Sequence, residues 1–216
     1  MDFLSTIVQF FQDGGGFMYP ILFVFGLGLA IAIERYTYLS MAGAKNRSLW
    51  KKVVPLLKSG NFKQASDLTS KSGAAIGTVM SYGLYRIGSA KRRDDIEKAM
   101  DESLMEVLPR LEKRTHYLAT LANIATLLGL LGTIIGLIAA FTAVAQANPA
   151  DKADMLSRSI SVAMNTTAFG LMVAIPLLLI HSVLQTKTNQ IVDSLEMASV
   201  KFLNAITERR AEGAPA

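Results

Sequence analysis

Residues 159–186 read SISVAMNTTAFGLMVAIPLLLIHSVLQT. The stretch contains no Lys, Arg, Asp or Glu. As a helix it is long enough to cross a bilayer, which takes about 20 apolar residues. Yet its first third carries Ser161, Asn165, Thr166 and Thr167. Polar side chains inside a span are costly against lipid, so they are expected to face other helices or a wet pathway. A span with a polar stripe points to a membrane protein that handles an ion within the bilayer.

Two further runs support that reading. Phe17–Ile33 is apolar and closes on Glu34 and Arg35, with Tyr36, Tyr38 and Leu39 extending it into an interfacial belt. Thr115–Ala150 carries no charge when His116 is neutral, and it exceeds what a bilayer requires, so one end is expected to project into water. The chain is 51% hydrophobic and 18% charged, with a mean hydropathy of +0.34. Soluble domains carry about a quarter charged residues. The absence of cysteine excludes disulfides, Cys-metal sites and thiol catalysis.

The fold class that follows is an all-α integral membrane protein, with three transmembrane helices and long cytoplasmic helical extensions. The expected segments are a periplasmic N-terminal stretch (1–16), span 1 (17–40), a cytoplasmic helical region (41–114) and span 2 (115–147). A periplasmic turn (148–157), span 3 (158–186) and a cytoplasmic helix and tail (187–216) complete the chain. Orientation comes from charge. Residues 41–114 hold 15 Lys or Arg against 8 Asp or Glu, whereas the stretch before residue 17 has Asp2, Asp13 and no basic residue. The positive-inside rule then places 41–114 and the C-terminus in the cytoplasm and the N-terminus outside. The start lacks the basic n-region and small-residue cleavage site of a signal peptide.

The polar region reads as helical. Ser59-Gly60-Asn61 forms a turn before Phe62, Ala65 and Leu68, and Gly73, Gly77, Gly83 and Gly88 punctuate the middle. Ile96, Met100, Leu104, Val107 and Leu111 follow a helical period, with Asp94 and Asp95 suited to its first turn. This helix is expected to run on into span 2, with a kink at Pro109. After span 3, Ile191, Leu195, Ala198, Phe202 and Ile206 form a stripe whose expected partners are copies of the same chain. Ala211–Ala216 is expected to fray.

Span 2 contains Leu128-Gly129-Leu130-Leu131-Gly132-Thr133-Ile134-Ile135-Gly136. Gly132 and Gly136 make a GxxxG and Gly129 lies on the adjacent face, a pattern that lets helices approach closely in lipid. Asn123, Thr126 and Thr133 fall near one face, with Thr142 about a quarter-turn away. An isolated Thr most often bonds its own i−4 carbonyl. Two spans that each present a polar stripe argue for more, because hydroxyls and carbonyls are hard oxygen ligands. His116 and His181 read as interfacial, Glu34–Arg35 as an anchor of span 1, and Pro176 as a kink or hinge in span 3. Lys91-Arg92-Arg93 reads as a solvated or lipid-facing turn, not a nucleic-acid site. No Walker, Rossmann, HExxH or nucleophile-elbow motif occurs, and the expectation is a non-enzyme without a cofactor. No span interior holds a carboxylate. A titratable acid would have to come from another chain.

These residues carry a resemblance. The glycine segment 128–133 with Gly136 and Phe141 resembles the core motif of the ExbB/TolQ/MotA ion-channel family. So does Ala168-Phe169-Gly170-Leu171-Met172-Val173-Ala174-Ile175-Pro176 in span 3. Ile33-Glu34-Arg35 and Gly60-Asn61-Phe62-Lys63-Gln64-Ala65 resemble other family segments, and the three-span plan is that of ExbB and TolQ. The resemblance implies a homopentamer around two copies of an ExbD/TolR-like single-span partner with a membrane Asp, in the bacterial inner membrane. It also implies that proton or sodium flow would move the partner and energise protein transport or another mechanical process. Thr167 corresponds to the family threonine of the third helix, and Thr166 doubles it as a sodium-type ligand. The chain departs at Val162, where a Glu is usual, and at Ala125-Thr126, where Ala-Pro is common. The ion-pathway candidates are thus Thr167, Thr166, Asn165, Thr133, Thr126, Asn123 and Ser161, and the candidates for helix packing are Gly129, Gly132, Gly136 and Gly170. Two competing readings are a non-conducting scaffold assembled through the glycine face and, last, a membrane enzyme.

Overall fold

Apolar runs separated by short Gly, Asn and Pro breaks give long helices and little else. The computed structural model describes residues 10–11, 14–87, 90 and 92–212. Asp2, Asp13, Gly88, Lys91 and the tail from Gly213 lie outside the described residues. The helices are α1 (Met18–Lys58), α2 (Phe62–Ser70), α3 (Ala75–Ile87), α4 (Arg93–Glu112), α5 (His116–Gln146) and α6 (Lys152–Glu212). Three helical stretches are long and apolar enough to cross a membrane, and no strand occurs among the described residues.

The chain divides into two units. One comprises residues up to Glu34 together with Arg114–Val183. Its interior combines a few large side chains, Met18, Ile21, Leu118 and Leu177, with many small residues: Ala122, Ala125, Gly129, Gly132, Ala163, Gly170 and Ala174 are all buried. Large apolar side chains such as Phe23, Leu127, Ile138, Phe141 and Leu179 are exposed. Small residues at the helix contacts with bulky apolar groups facing outward suit a hydrocarbon solvent, in which helices associate by close backbone approach.

The other unit comprises Arg35–Lys113 and residues from Leu184 onward. It has the opposite, water-type interior of Leu39, Met80, Ile96, Met100, Leu195 and Phe202. The Ser59–Asn61 turn forms as its sequence indicates. Gly60 takes φ +76°, and Asn61 caps α2 by accepting from the Gln64 amide at 3.2 Å. Asp95 accepts from the Arg92 amide at the start of α4.

Several expectations are corrected. The stripe Ile191–Ile206 does not await copies of the chain: Ile191, Leu195, Ala198, Phe202 and Ile206 are buried within it. Gly83 shows why. A Cβ there would stand 2.7 Å from the Phe202 ring and 2.8 Å from Met100 Sδ, so the missing side chain lets Phe202 seat on α3. Gly77 and Gly83 therefore lie inside a helix and do not interrupt one. The α4 helix does not run on into α5. Pro109 is helical, and its carbonyl accepts from Lys113. The break falls at Lys113–Thr115, where Arg114 takes φ 66°. Finally, α6 begins at Lys152, so much of the stretch expected as a turn is helical. A turn in which the Asp151 amide donates to the Asn148 carbonyl precedes it, and Asp154 lies in its first turn.

Glu34 and Arg35 also divide their work. Glu34 and Arg114 approach to 3.6 Å and both remain about half exposed. Arg35 is 2% exposed. Its guanidinium donates to the Leu111 carbonyl in the last turn of α4 and lies 4.7 Å from the Tyr38 ring centroid. A cation there meets helix carbonyls that have no intrahelical donor. Replacing Arg35 by Gln should cost about 2 kcal/mol, the scale of a buried charged hydrogen bond. Asn61→Ala should cost about 1 kcal/mol as a lost cap. Thermal melts of the purified variants check the ranking, and an Arg35→Gln melt at or above that of Asn61→Ala would contradict it.

Candidate ion site

The site begins with a helix crossing. Gly129 on α5 meets Gly170 on α6 backbone to backbone. A Cβ built on Gly170 would stand 2.7 Å from the Ala125 carbonyl oxygen and 3.1 Å from Gly129 Cα. One on Gly129 would stand 3.2 Å from Thr167 Cα. Gly132 receives the Thr166 methyl, which would lie 2.5 Å from an added Cβ, with Phe17 on its other side. Gly136 is looser, its nearest neighbour being the Ala163 Cβ at 3.2 Å. All four glycines thus face neighbours in the same chain. The glycine face expected to hold copies together is occupied within one protomer.

This close approach lets hydroxyls from two helices share one carbonyl. Thr133 Oγ1 donates to its own-helix Gly129 carbonyl at 3.1 Å, and Thr167 Oγ1 reaches across to the same oxygen at 2.9 Å. The two hydroxyls also touch each other. Three oxygens are therefore in mutual reach, joined by three contacts, while the hydroxyls bring only two protons. One contact at any moment lacks a hydrogen. Lone pairs remain for a cation, or for a proton passed along by exchange of donor and acceptor. Both threonines are half-buried, so the cluster is open on one side.

The other candidates are placed differently. Thr166 is buried. Its hydroxyl donates to the Gly14 carbonyl at 2.7 Å and lies 3.0 Å from the Val162 carbonyl. The adjacent threonines thus serve separate acceptors, as residues about 100° apart on a helix must. Thr126 bonds its i−4 carbonyl, Ala122, at 3.1 Å, and Thr142 bonds Ile138 at 2.9 Å. Thr126 and Asn123 are exposed on the flank of α5 that carries Thr133. Asn165 is half-buried on the side of α6 away from Thr167, and Ser161 is exposed. Pro176 lies inside the continuous helix α6. Among the described residues no group of three His, Cys, Asp or Glu could hold a metal.

Sequence reasoning missed two backbone partners, the carbonyls of Gly129 and Gly14. For Gly14 the signal was present as Gly14-Gly15-Gly16 before the first span, with Gly15 at φ 73°. For Gly129, a glycine one turn before Thr133 leaves its carbonyl unshielded by a side chain.

The glycine crossing and the threonine pair coincide with a family match. The model of the MotA/TolQ/ExbB proton channel family matches residues 71–197, more than half of the chain. The chain belongs to that family. It is also 28% identical over 207 residues to a protein named as a biopolymer transport ExbB homolog from Methanothermobacter thermautotrophicus. The match covers 91% of this chain and 69% of that protein. As a MotA/TolQ/ExbB member with three apolar spanning helices, it is a multi-pass membrane protein of ion-channel type. Membership implies association with ExbD/TolR-like partners.

The crossing sets a ranking among the glycines. An Ala at Gly170 gains about 1 kcal/mol of helix propensity but meets a carbonyl that cannot yield. Its net cost should be about 2 kcal/mol. Gly136→Ala makes only a side-chain contact, so propensity should offset it to within about 1 kcal/mol. Melting of the detergent-purified variants tests this; equal losses at the two positions would contradict the crossing.

Proposed function

We propose that this chain is the ring-forming subunit of an ion-driven inner-membrane complex. Five copies surround two copies of a single-span ExbD/TolR-like protein, and proton or sodium flow moves that partner to energise envelope transport or another mechanical process. The N-terminus is periplasmic, and residues 41–114 and the C-terminus are cytoplasmic, in keeping with the excess of Lys and Arg over Asp and Glu in 41–114. The reading needs no cofactor and no enzymatic step; the ion is cargo.

One observation carries the reading: a three-oxygen cluster of Gly129 O, Thr133 Oγ1 and Thr167 Oγ1 opens to one side in spans that contain no carboxylate. Neutral oxygens alone bind a bare cation weakly in a low-dielectric medium, because nothing compensates its charge. A membrane Asp on a partner helix supplies that charge, and its approach along the Thr133–Thr126–Asn123 flank completes the site. Per elementary charge, a membrane potential provides about 2.3 kcal/mol for each 100 mV. Several ions then suffice for sizeable work on the partner.

The scaffold reading requires a glycine face free to bind copies. Gly129, Gly132 and Gly170 instead meet groups of their own chain, which favours the ion-driven reading. Flux into liposomes carrying the chain co-purified with its single-span partner tests the proposal, with sodium present or absent at fixed pH. Thr167→Val should lower flux roughly ten-fold or more, on the scale of about 1.4 kcal/mol for a lost ligand, with assembly intact. Thr166→Val should be milder and should loosen the contact with Gly14. Wild-type flux in the Thr167 variant would overturn the site, and absence of any flux in the parent complex would overturn the function.

A further inference from the structure

A second polar constellation lies in the unit formed by Arg35–Lys113 and the chain from Leu184. A cavity of about 400 Å³ opens between α1 and α6, and its wall includes Ser40, Asn46, Arg47, Lys187, Gln190 and Ser194. No Asp or Glu lines it among the described residues. The ion pathway proposed above uses none of these side chains.

The donors and acceptors around this cavity do not balance. Asn46 is 3% exposed. Its Oδ1 accepts from the Ile76 amide at 3.2 Å. An amide N–H can only donate, so this bond fixes the side-chain orientation and assigns the other end as NH₂. That Nδ2 is buried and finds no acceptor among the described residues. A buried amide donor left unmet costs about 1–3 kcal/mol.

Of the two cations, Lys187 is held in place yet uncompensated. Lys187 Nζ donates to Ser40 Oγ at 2.6 Å and lies 4.0 Å from the Tyr36 ring centroid. Neither Lys187 nor Arg47 pairs with a carboxylate among the described residues. The serine hydroxyls do not meet the need either: Ser40 donates to the Tyr36 carbonyl and Ser194 to the Ile191 carbonyl. What remains unmet is a set of donors from two helices, Asn46 Nδ2, the Arg47 guanidinium and the free N–H groups of Lys187, with the Gln190 amide beside them able to donate or accept. A ligand that fits must bring only acceptors, carry negative charge and offer oxygens in several directions. A planar carboxylate presents two oxygens in one plane, whereas a phosphate group presents them tetrahedrally. The geometry points to a phosphate-binding site in this cavity, taking either a free phosphate or the phosphate of an anionic lipid headgroup.

Trp50 is part of the cavity wall and is the single tryptophan of the chain, so its emission reports on the site directly. The full chain in neutral detergent is titrated at constant ionic strength with inorganic phosphate, with dihexanoyl phosphatidylglycerol and with acetate. A saturable change with phosphate and with the lipid assigns a site open to the free anion. A change with the lipid alone assigns a headgroup site. Lys187→Gln and Arg47→Gln should each weaken apparent affinity about ten-fold, the scale of one charge-assisted contact. Asn46→Asp keeps the acceptor for Ile76 but replaces the NH₂ donor with negative charge, and it should abolish the response. No saturable change with either phosphate compound, an equal response to acetate, or titrations unaltered in both the Lys187 and Arg47 variants would overturn the proposal. The two surface variants keep the test decisive if Asn46→Asp does not fold.

Discussion

The contact of Gly129 with Gly170 is the constraint on which the membrane unit depends. Where an added Cβ would stand 2.7 Å from a carbonyl, no side chain other than hydrogen fits. Two consequences follow from that approach. In lipid, where burial of apolar surface gives helices no reason to associate, it supplies backbone contact and dispersion. It also brings Thr167 within 2.9 Å of a carbonyl on the neighbouring helix. Structure and site therefore share one cause, and a substitution at the crossing cannot disturb one alone.

The two units solve the same problem in opposite solvents. In one, Ala and Gly lie inside and Phe23, Ile138 and Leu179 outside. In the other, Phe202, Met100 and Leu195 lie inside, and polar side chains cap the helix ends. A continuous α1 and a continuous α6 contribute residues to both. Such helices change the character of their buried face partway along. Their overall amphipathicity is accordingly weak, and a reading by period alone undervalues them.

The spans, the Ser59–Asn61 turn and the glycine face were legible in the sequence because each rests on local chemistry or on hydropathy. The threonine pair was legible only as two separate stripes. Nothing local states that Thr133 and Thr167 share the carbonyl of Gly129, and nothing in their spacing separates Thr167 from Thr166, whose hydroxyl turns instead to Gly14. The stripe Ile191–Ile206 was legible as a stripe but not in its partner, because Gly83 and Met100 lie far away in sequence. Arg35 looked like an interfacial anchor, since a charged residue at the end of a span usually is one. Its burial against the Leu111 carbonyl depends on where α4 ends, and the expected continuation of that helix into span 2 hides that end.

Coupling between the two hydroxyls is the most direct test of the central claim that Thr133, Thr167 and the Gly129 carbonyl act as one ion site. Flux is measured for Thr133→Val, Thr167→Val and the double variant, each assembled with the single-span partner in liposomes. If the three oxygens act as a unit, the double variant loses no more than the worse single variant, because removing either hydroxyl already breaks the cluster. Losses that multiply, as for independent positions, would contradict the account.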